Sequence, residues 1–310
     1  MQIEQQLAEC SPAKDTLLTI GVFDGVHRGH QYLISRLKKR AEEQDLLPGM
    51  VTFREHPEET VSPQTRLPFL TSLNQRVELL KKEGIDLVVV LPFTPELARL
   101  TARQFVTLLL KHLRMKGLVI GHDFALGKDR EGNARVLRAL GQEMGFTVTE
   151  VTARLINGEV VSSTAIRKAL AEGDMKRVHR LIGRYFSLQG RVVTGDHLGT
   201  KLGFPTANLE VDPAQALPAD GVYATQAYIG DKAYQSMTNV GTRPTFGVHK
   251  RTIEVYVLDY QDNLYGQEIK IDIIDRVRSE KRFATAQELQ GQIAEDIKQG
   301  RAILSRTDRG

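Results

Sequence analysis

Two stretches of the chain combine residue types and spacing suited to phosphate chemistry. The first is Gly21-Val-Phe-Asp-Gly-Val-His-Arg-Gly-His30. Before it, Thr16-Leu-Leu-Thr-Ile-Gly-Val22 is short and apolar, as a buried parallel strand requires. After it, Leu33, Ile34, Leu37 and Ala41 recur at helical spacing, with Lys38, Lys39 and Arg40 between them. The stretch is therefore a strand-to-helix turn opening at a helix N-terminus, where backbone N–H groups and the dipole favour an anion. His27 and His30 fall three apart, so both rings can lean to one side of the first turn. Gly21, Gly25 and Gly29, with Phe23 and Asp24 among them, permit tight turning and a close ligand. An H-x-x-H pair could also hold zinc, but the single Cys10 and the scattered other histidines offer no obvious further ligands.

The second stretch runs from Gly195 to Asn208, with Gly195, Gly199 and Gly203 at intervals of four and Lys201 between them. It lacks the G-K-[ST] ending of a Walker loop, yet such glycines can expose several N–H groups as a nest for phosphates. Beyond Pro205, Thr206 and Asn208 present neutral oxygens on one side of an extended chain. Mg²⁺ commonly takes such oxygens together with those of a phosphate. A third candidate is Ser162-Ser163-Thr164, an N-cap cluster followed by Arg167 in the first helical turn. A cation there opposes the helix dipole, and a bound polyphosphate would supply the missing negative charge.

These positions need a scaffold, and the chain changes pattern once. From residue 16 to about 183, short apolar runs alternate with amphipathic helices, as in a βαβ sheet. Strands are expected at 16–22, 49–53, 86–91, 117–121 and 146–151, with helices near 31–44, 73–83, 96–114 and 131–144. In such sheets ligands sit beyond the carboxyl ends of the strands. His56, Asp123 and Phe124 fall there, as do the histidines. From Gly183 onward five or six short strands bounded by Gly, Pro and Asp point to a small antiparallel barrel, closed by a helix at about 285–304. The expected domains are 1–183 and 184–310. In the strand Ile253 to Asp259, alternation sets Glu254 opposite Ile253, Val255 and Val257.

The remaining composition narrows the class. Apolar content of 41% with 26% charged residues is that of a soluble globular protein. One cysteine excludes an intramolecular disulfide framework and suits a reducing cytoplasm. No window approaches a membrane span, and the polar start Met1-Gln-Ile-Glu is no secretory signal. A net charge of +4 suits anionic ligands, but without Trp or a nucleic-acid signature no nucleic-acid partner is expected.

In family order, G-x-F-D-G-x-H-x-G-H at 21–30, T-F-R-E-H-P at 52–57, G-H-D-F-A-L-G at 121–127, S-S-T-A-I-R at 162–167 and G-T-K-L-G-F-P-T-A-N at 199–208 resemble the bacterial bifunctional riboflavin kinase/FAD synthetases. The resemblance spans about 15 to 300 and implies a Rossmann-like nucleotidyltransferase domain with a parallel sheet, then a kinase barrel. It implies phosphorylation of riboflavin to FMN and adenylylation of FMN to FAD, with ATP and Mg²⁺. Carried over by position, His27, His30 and Arg167 act on the adenylyl group, and Gly21, Phe23, Asp24, Gly25, Gly29, Asp123, Ser162, Ser163 and Thr164 hold its nucleotide. Gly195, Gly199, Lys201, Gly203 and Pro205 hold the kinase nucleotide, Thr206 and Asn208 the metal, and Glu254 is the base, with Glu268 its rival. His56, Phe124, Arg278 and Phe283 would meet flavin. The chain departs from the pattern at Glu55, where Pro is usual, and at Ala125, where many relatives have Arg. A transferase of other specificity, or a silent flavin-binding module, in one half stays an alternative. Self-association stays open.

Overall fold

The apolar run after helix α1 (Gln2–Cys10) becomes strand β1 (Thr16–Ile20), every residue of which is buried. The computed structural model describes residues 2–61, 67–195, 199, 202–245 and 248–307. β1 lies at the centre of a five-stranded parallel sheet. It is followed by α2 (Arg28–Glu43), β2 (Leu47–Phe53), α3 (Pro57–Val61), α4 (Leu73–Lys82) and β3 (Leu87–Leu91). Next come α5 (Pro95–Ala98), α6 (Ala102–Leu113), β4 (Met115–Gly121), the short pair β5 (Ala125–Leu126) and β6 (Gly132–Asn133), α7 (Ala134–Met144) and β7 (Thr147–Val151). The strand order is β3-β2-β1-β4-β7. Alternation along β1 feeds two cores. Leu18 and Ile20 pack with residues of α1 and α6, and Leu17 packs with Ile34 and Leu37 of α2 and Leu80 of α4.

The single helix expected at 96–114 is two, because Thr101 makes a new start. Its hydroxyl accepts the Gln104 N–H and the Gln104 side chain returns to the Thr101 N–H, a complete capping box. Asn133 caps α7 likewise, so that helix begins at Ala134 rather than 131. The capping box expected at Ser72 and Gln75 is present.

After a two-residue hairpin pair, β8 (Leu155–Ile156) and β9 (Glu159–Val160), come α8 (Ser163–Glu172) and α9 (Met175–Ile182). The barrel comprises β10 (Phe186–Val193), β11 (Ala207–Val211), β12 (Gly221–Ile229), β13 (Lys232–Thr245), β14 (Val248–Val257) and β15 (Glu268–Ser279). It closes in the order β10-β11-β14-β13-β12-β15, which leaves no free sheet edge. Helix α10 (Ala286–Thr307) ends the described chain.

The chain divides into units Met1–Ser163 and Thr164–Gly310, ahead of the change of pattern near 184. The reason is physical. Met175, Val178, Leu181 and Ile182 of α9 are buried, and the Ala219 N–H donates to the Leu170 carbonyl at 2.9 Å. Arg276 donates to the Glu172 carbonyl, and Lys176 stands 3.3 Å from Asp275 on β15. We expect a fragment 164–310 to melt at least ~5 °C above a fragment 184–310, the shift expected of one or two kcal/mol in a domain of this size. Equal midpoints by circular dichroism would return the division to 184.

Candidate active sites

At the carboxyl end of β1, His27 is the N-cap of α2, and its Nδ1 accepts the His30 N–H at 3.3 Å. In the neutral ring that acceptor role leaves the proton on Nε2. The two imidazoles stack with centroids 3.6 Å apart and planes at 17°, and Phe23 meets His30 edge-on at 5.2 Å. The preceding turn is strained: Phe23, Gly25 and Val26 have φ of 53°, 78° and 37°. A β-branched residue in that region is a true outlier. Gly25 is required there, since a Cβ would also come within 2.9 Å of the Leu70 side chain.

Asp24 holds this turn. Its carboxylate is 2% exposed and accepts the N–H groups of Leu70 at 2.8 Å and Thr71 at 3.2 Å. The residue expected at the nucleotide thus has its charge beneath the turn, committed to backbone. Gly25 N–H donates to the Thr71 hydroxyl at 3.1 Å. Gly21 lies against the Phe23 ring, and Gly29 lies between the His27 ring and the Val161 carbonyl, where a Cβ would be 3.1 Å from each. The Ser163 hydroxyl donates to the Asp24 carbonyl at 3.1 Å, so the structure brings the serine cluster beginning at Ser162 to the histidine turn. Thr164 and Arg167, in the first turns of α8, belong to the second unit.

Arg76 was not foreseen. It is fully buried on α4, and its guanidinium donates to the Val22 carbonyl at 2.8 Å and the Phe53 carbonyl at 2.7 Å, tying the ends of the first two strands. Desolvation pushes its pKa down and the Asp24 charge works against that. A trace exists in the sequence: Leu73, Arg76 and Leu80 share one helical stripe, so an arginine stands where an apolar residue belongs.

Beyond the same strand ends lies a cleft of about 950 Å³, lined by Phe53, Phe93, Leu97, Phe105 and the segment Asp123–Gly127. Asp123 and Phe124 are therefore in it. His56 is not among its lining residues; its Nδ1 accepts the Glu58 N–H at 3.4 Å. Arg130, also unforeseen, lines the cleft and donates to the Asp123 carbonyl at 3.0 Å.

In the barrel, Glu254 sits on β14 directly between Asn208 of β11 and Asn239 of β13. Ile253, Val255 and Val257 are buried, while Glu254 and Tyr256 face a cleft of about 520 Å³ that Thr206, Asn239, Arg278 and Phe283 also line. Glu268 is exposed at the start of β15, opposite Arg191, and lies outside the cleft lining. Gly195 sits against Asn208: a Cβ there would fall 2.0 Å from the amide nitrogen. The Gly199 carbonyl accepts the N–H groups of Leu202 and Phe204, at 3.1 and 2.8 Å. Gly203 has φ of 87° and Pro205 is exposed. Lys201 lies outside the described residues.

Helix α10 covers this cleft. Asp296, 4% exposed, accepts from Arg278 Nε with both oxygens at 2.9 Å and from Gln292, and the Arg278 guanidinium lies 5.7 Å from the Phe283 ring centre. Asn239, Tyr256 and Asp296 had no signal in the sequence beyond polar or aromatic residues in barrel strands and the last helix.

The first unit is a five-stranded parallel sheet with helices, and the second is a closed barrel whose cleft is lined by the carboxylate of Glu254. The FAD synthetase family matches residues 10–165 and the riboflavin kinase family residues 182–304. The bifunctional riboflavin kinase/FMN adenylyltransferase of Escherichia coli K12 is 39% identical over 288 residues, 92% of each chain. That of Pseudomonas fluorescens is 36% identical over 308 residues, 98% of each. The chain belongs to the bifunctional riboflavin kinase/FMN adenylyltransferase family. A crystal structure described as a macrolide-efflux protein from Streptococcus pneumoniae superposes with a TM-score of 0.87 at 30% identity, covering 94% of this chain and 95% of that one. Among the residues described here, no helix is long and apolar enough to cross a membrane.

The close approach of Gly195 to Asn208 gives a direct test. Gly195→Ala must push the loop or the amide aside, and a displacement near 1 Å costs on the order of 100-fold in rate. FMN formation should fall by that much, with FAD formation from supplied FMN unchanged. Wild-type phosphorylation by the variant would show that the loop does not need this contact.

Proposed function

We propose that the two units carry out successive reactions at separate sites, the first feeding the second. The chain is a bifunctional riboflavin kinase and FMN adenylyltransferase. In the barrel, the terminal ribityl hydroxyl of riboflavin attacks the γ-phosphorus of ATP; its proton passes to Glu254, the bond to the β-phosphate oxygen breaks, and ADP leaves. At the sheet edge, a phosphate oxygen of FMN attacks the α-phosphorus of a second ATP, the α–β bridge breaks, and pyrophosphate leaves with FAD formed.

One observation carries the assignment. The barrel cleft holds a partly exposed carboxylate, Glu254, between two asparagines, whereas the carboxylate in the histidine turn, Asp24, is buried and bonded to backbone. That is the distribution the chemistry asks for. A primary hydroxyl is a poor nucleophile until a base accepts its proton. A phosphate monoester, with a second pKa of about 6, is already anionic at pH 7 and needs no base. It needs stabilisation of the charge on the α-phosphate and leaving pyrophosphate, the work of His27, His30 and the α2 N–H groups.

Mg²⁺ fits the kinase site by donor type. Thr206 Oγ1 and the Asn208 side-chain oxygen are neutral hard ligands beside the glycine loop, and nucleotide phosphates would complete the shell. The bound ion would neutralise phosphate charge. Phe124 supports a flavin in the larger cleft, and Arg278 with Phe283 supports riboflavin in the smaller. Such small-molecule work belongs in the cytoplasm and calls on no nucleic acid.

Glu254→Gln should lower FMN formation by roughly 10²–10⁴-fold while FAD formation from supplied FMN persists. His30→Ala should give the reverse. Riboflavin, FMN and FAD resolved by chromatography after incubation with ATP and Mg²⁺ read both steps. Loss of both activities in Glu254→Gln would remove the base assignment.

A further inference from the structure

Beyond the last paired residues of β2 and β3, side chains take over from strand pairing. The Arg54 N–H donates to the Leu91 carbonyl at 2.9 Å, the last backbone bond between the two segments. The Glu55 carboxylate then accepts the Phe93 N–H at 2.8 Å, and the Thr60 hydroxyl donates to the Phe93 carbonyl at 2.8 Å. Both backbone polar groups of Phe93 are thus held by side chains of the segment after β2. The Phe93 ring meets Phe53 edge-on, with centroids 5.1 Å apart and planes at 87°. Both rings line the 950 Å³ cleft, as do Pro57 and Glu58 on the far side of Glu55.

We propose that Glu55 is a positioning residue for the flavin in the adenylylation site: by fixing Phe93 against Phe53 it sets the aromatic wall on which the isoalloxazine ring lies. The inference rests on the reading of this cleft as the FMN site. A carboxylate bonded to a backbone N–H is a strong, directional restraint, and without it a loop residue has several orientations. An edge-to-face pair presents one defined surface to a flat ligand. The lining also includes the apolar Leu97, Leu100, Phe105 and Phe124. The tricyclic flavin, with its dimethylbenzene edge, buries more apolar area on such a lining than adenine, whose rim is largely nitrogen. His27 and His30 are absent from the lining, so the wall contacts the substrate away from its reacting phosphate. A contact of that kind acts equally on ground and transition states and appears in KM, not in kcat.

The test uses the full chain with Glu55→Ala, Glu55→Gln and Phe93→Ala, measuring FAD formation with FMN and ATP varied separately. Glu55→Ala should raise the KM for FMN roughly tenfold, the effect of losing one charge-assisted bond to a partly buried N–H. The kcat at saturating FMN and the KM for ATP should stay within about twofold. Glu55→Gln keeps an oxygen acceptor and should recover most of the loss. A merely structural role would instead lower kcat and disturb both KM values together, and that result overturns the proposal. So does an unchanged KM for FMN in Glu55→Ala when Phe93→Ala raises it; the cleft then still takes FMN but Glu55 does not set its wall. If Phe93→Ala moves only the KM for ATP, the FMN reading of the cleft itself fails.

Discussion

The histidine turn exists because a buried carboxylate holds it. Left-handed backbone at Phe23 and Val26 costs of the order of 1–3 kcal/mol at each. Against that stand the Asp24 bonds to the Leu70 and Thr71 N–H groups, each worth about 1.5–3 kcal/mol when the acceptor is charged. The two sums are comparable, and the Gly25 bond to Thr71 and the buried Arg76 beside Asp24 add to the holding side. Remove the carboxylate and the strained residues have no reason to stay. His27 would then no longer stand where its Nδ1 caps α2, and the stacked pair would come apart. This end of the sheet is therefore shaped by a buried carboxylate and the backbone N–H groups it accepts from.

The barrel shows the opposite use of the same group. Asp296 is buried and paired with Arg278, and such pairs are weak evidence of stability because desolvation offsets much of the attraction. What the pair fixes is direction. It holds the Arg278 guanidinium near Phe283 and ties α10 to β15. Glu254, on β14, keeps part of its surface open and is bracketed by amides that bear no charge. Asp296 is spent on structure, whereas Glu254 faces the cleft.

How far the sequence reached follows from which interactions are local. The histidines, the capping box at Ser72 and the alternation around Glu254 were legible because each depends on neighbours within four residues. Arg76 was not, since its partners Val22 and Phe53 lie far back in the chain and its helix looks like any amphipathic one. Asp24 sits inside a glycine-rich anion turn, and only the fold brings Leu70 and Thr71 beneath it. The apolar faces of α8 and α9 say that they are buried, not in which core. Strand β11 was read as the tail of a phosphate loop, because Thr206 and Asn208 drew attention to their oxygens rather than to the strand that begins at Ala207.

Charge also orders the two reactions. Riboflavin brings a neutral hydroxyl to Glu254, so binding meets no repulsion there. The product carries a phosphate dianion beside the same carboxylate. Two unit charges about 4 Å apart repel by about 1 kcal/mol in water and about 4 kcal/mol near a protein surface. On the proposed assignment, that repulsion acts against FMN once Glu254 has given up the proton it accepted. At the histidine turn the balance reverses, because a helix N-terminus with no acidic residue in its first turn attracts the anion that the other cleft repels.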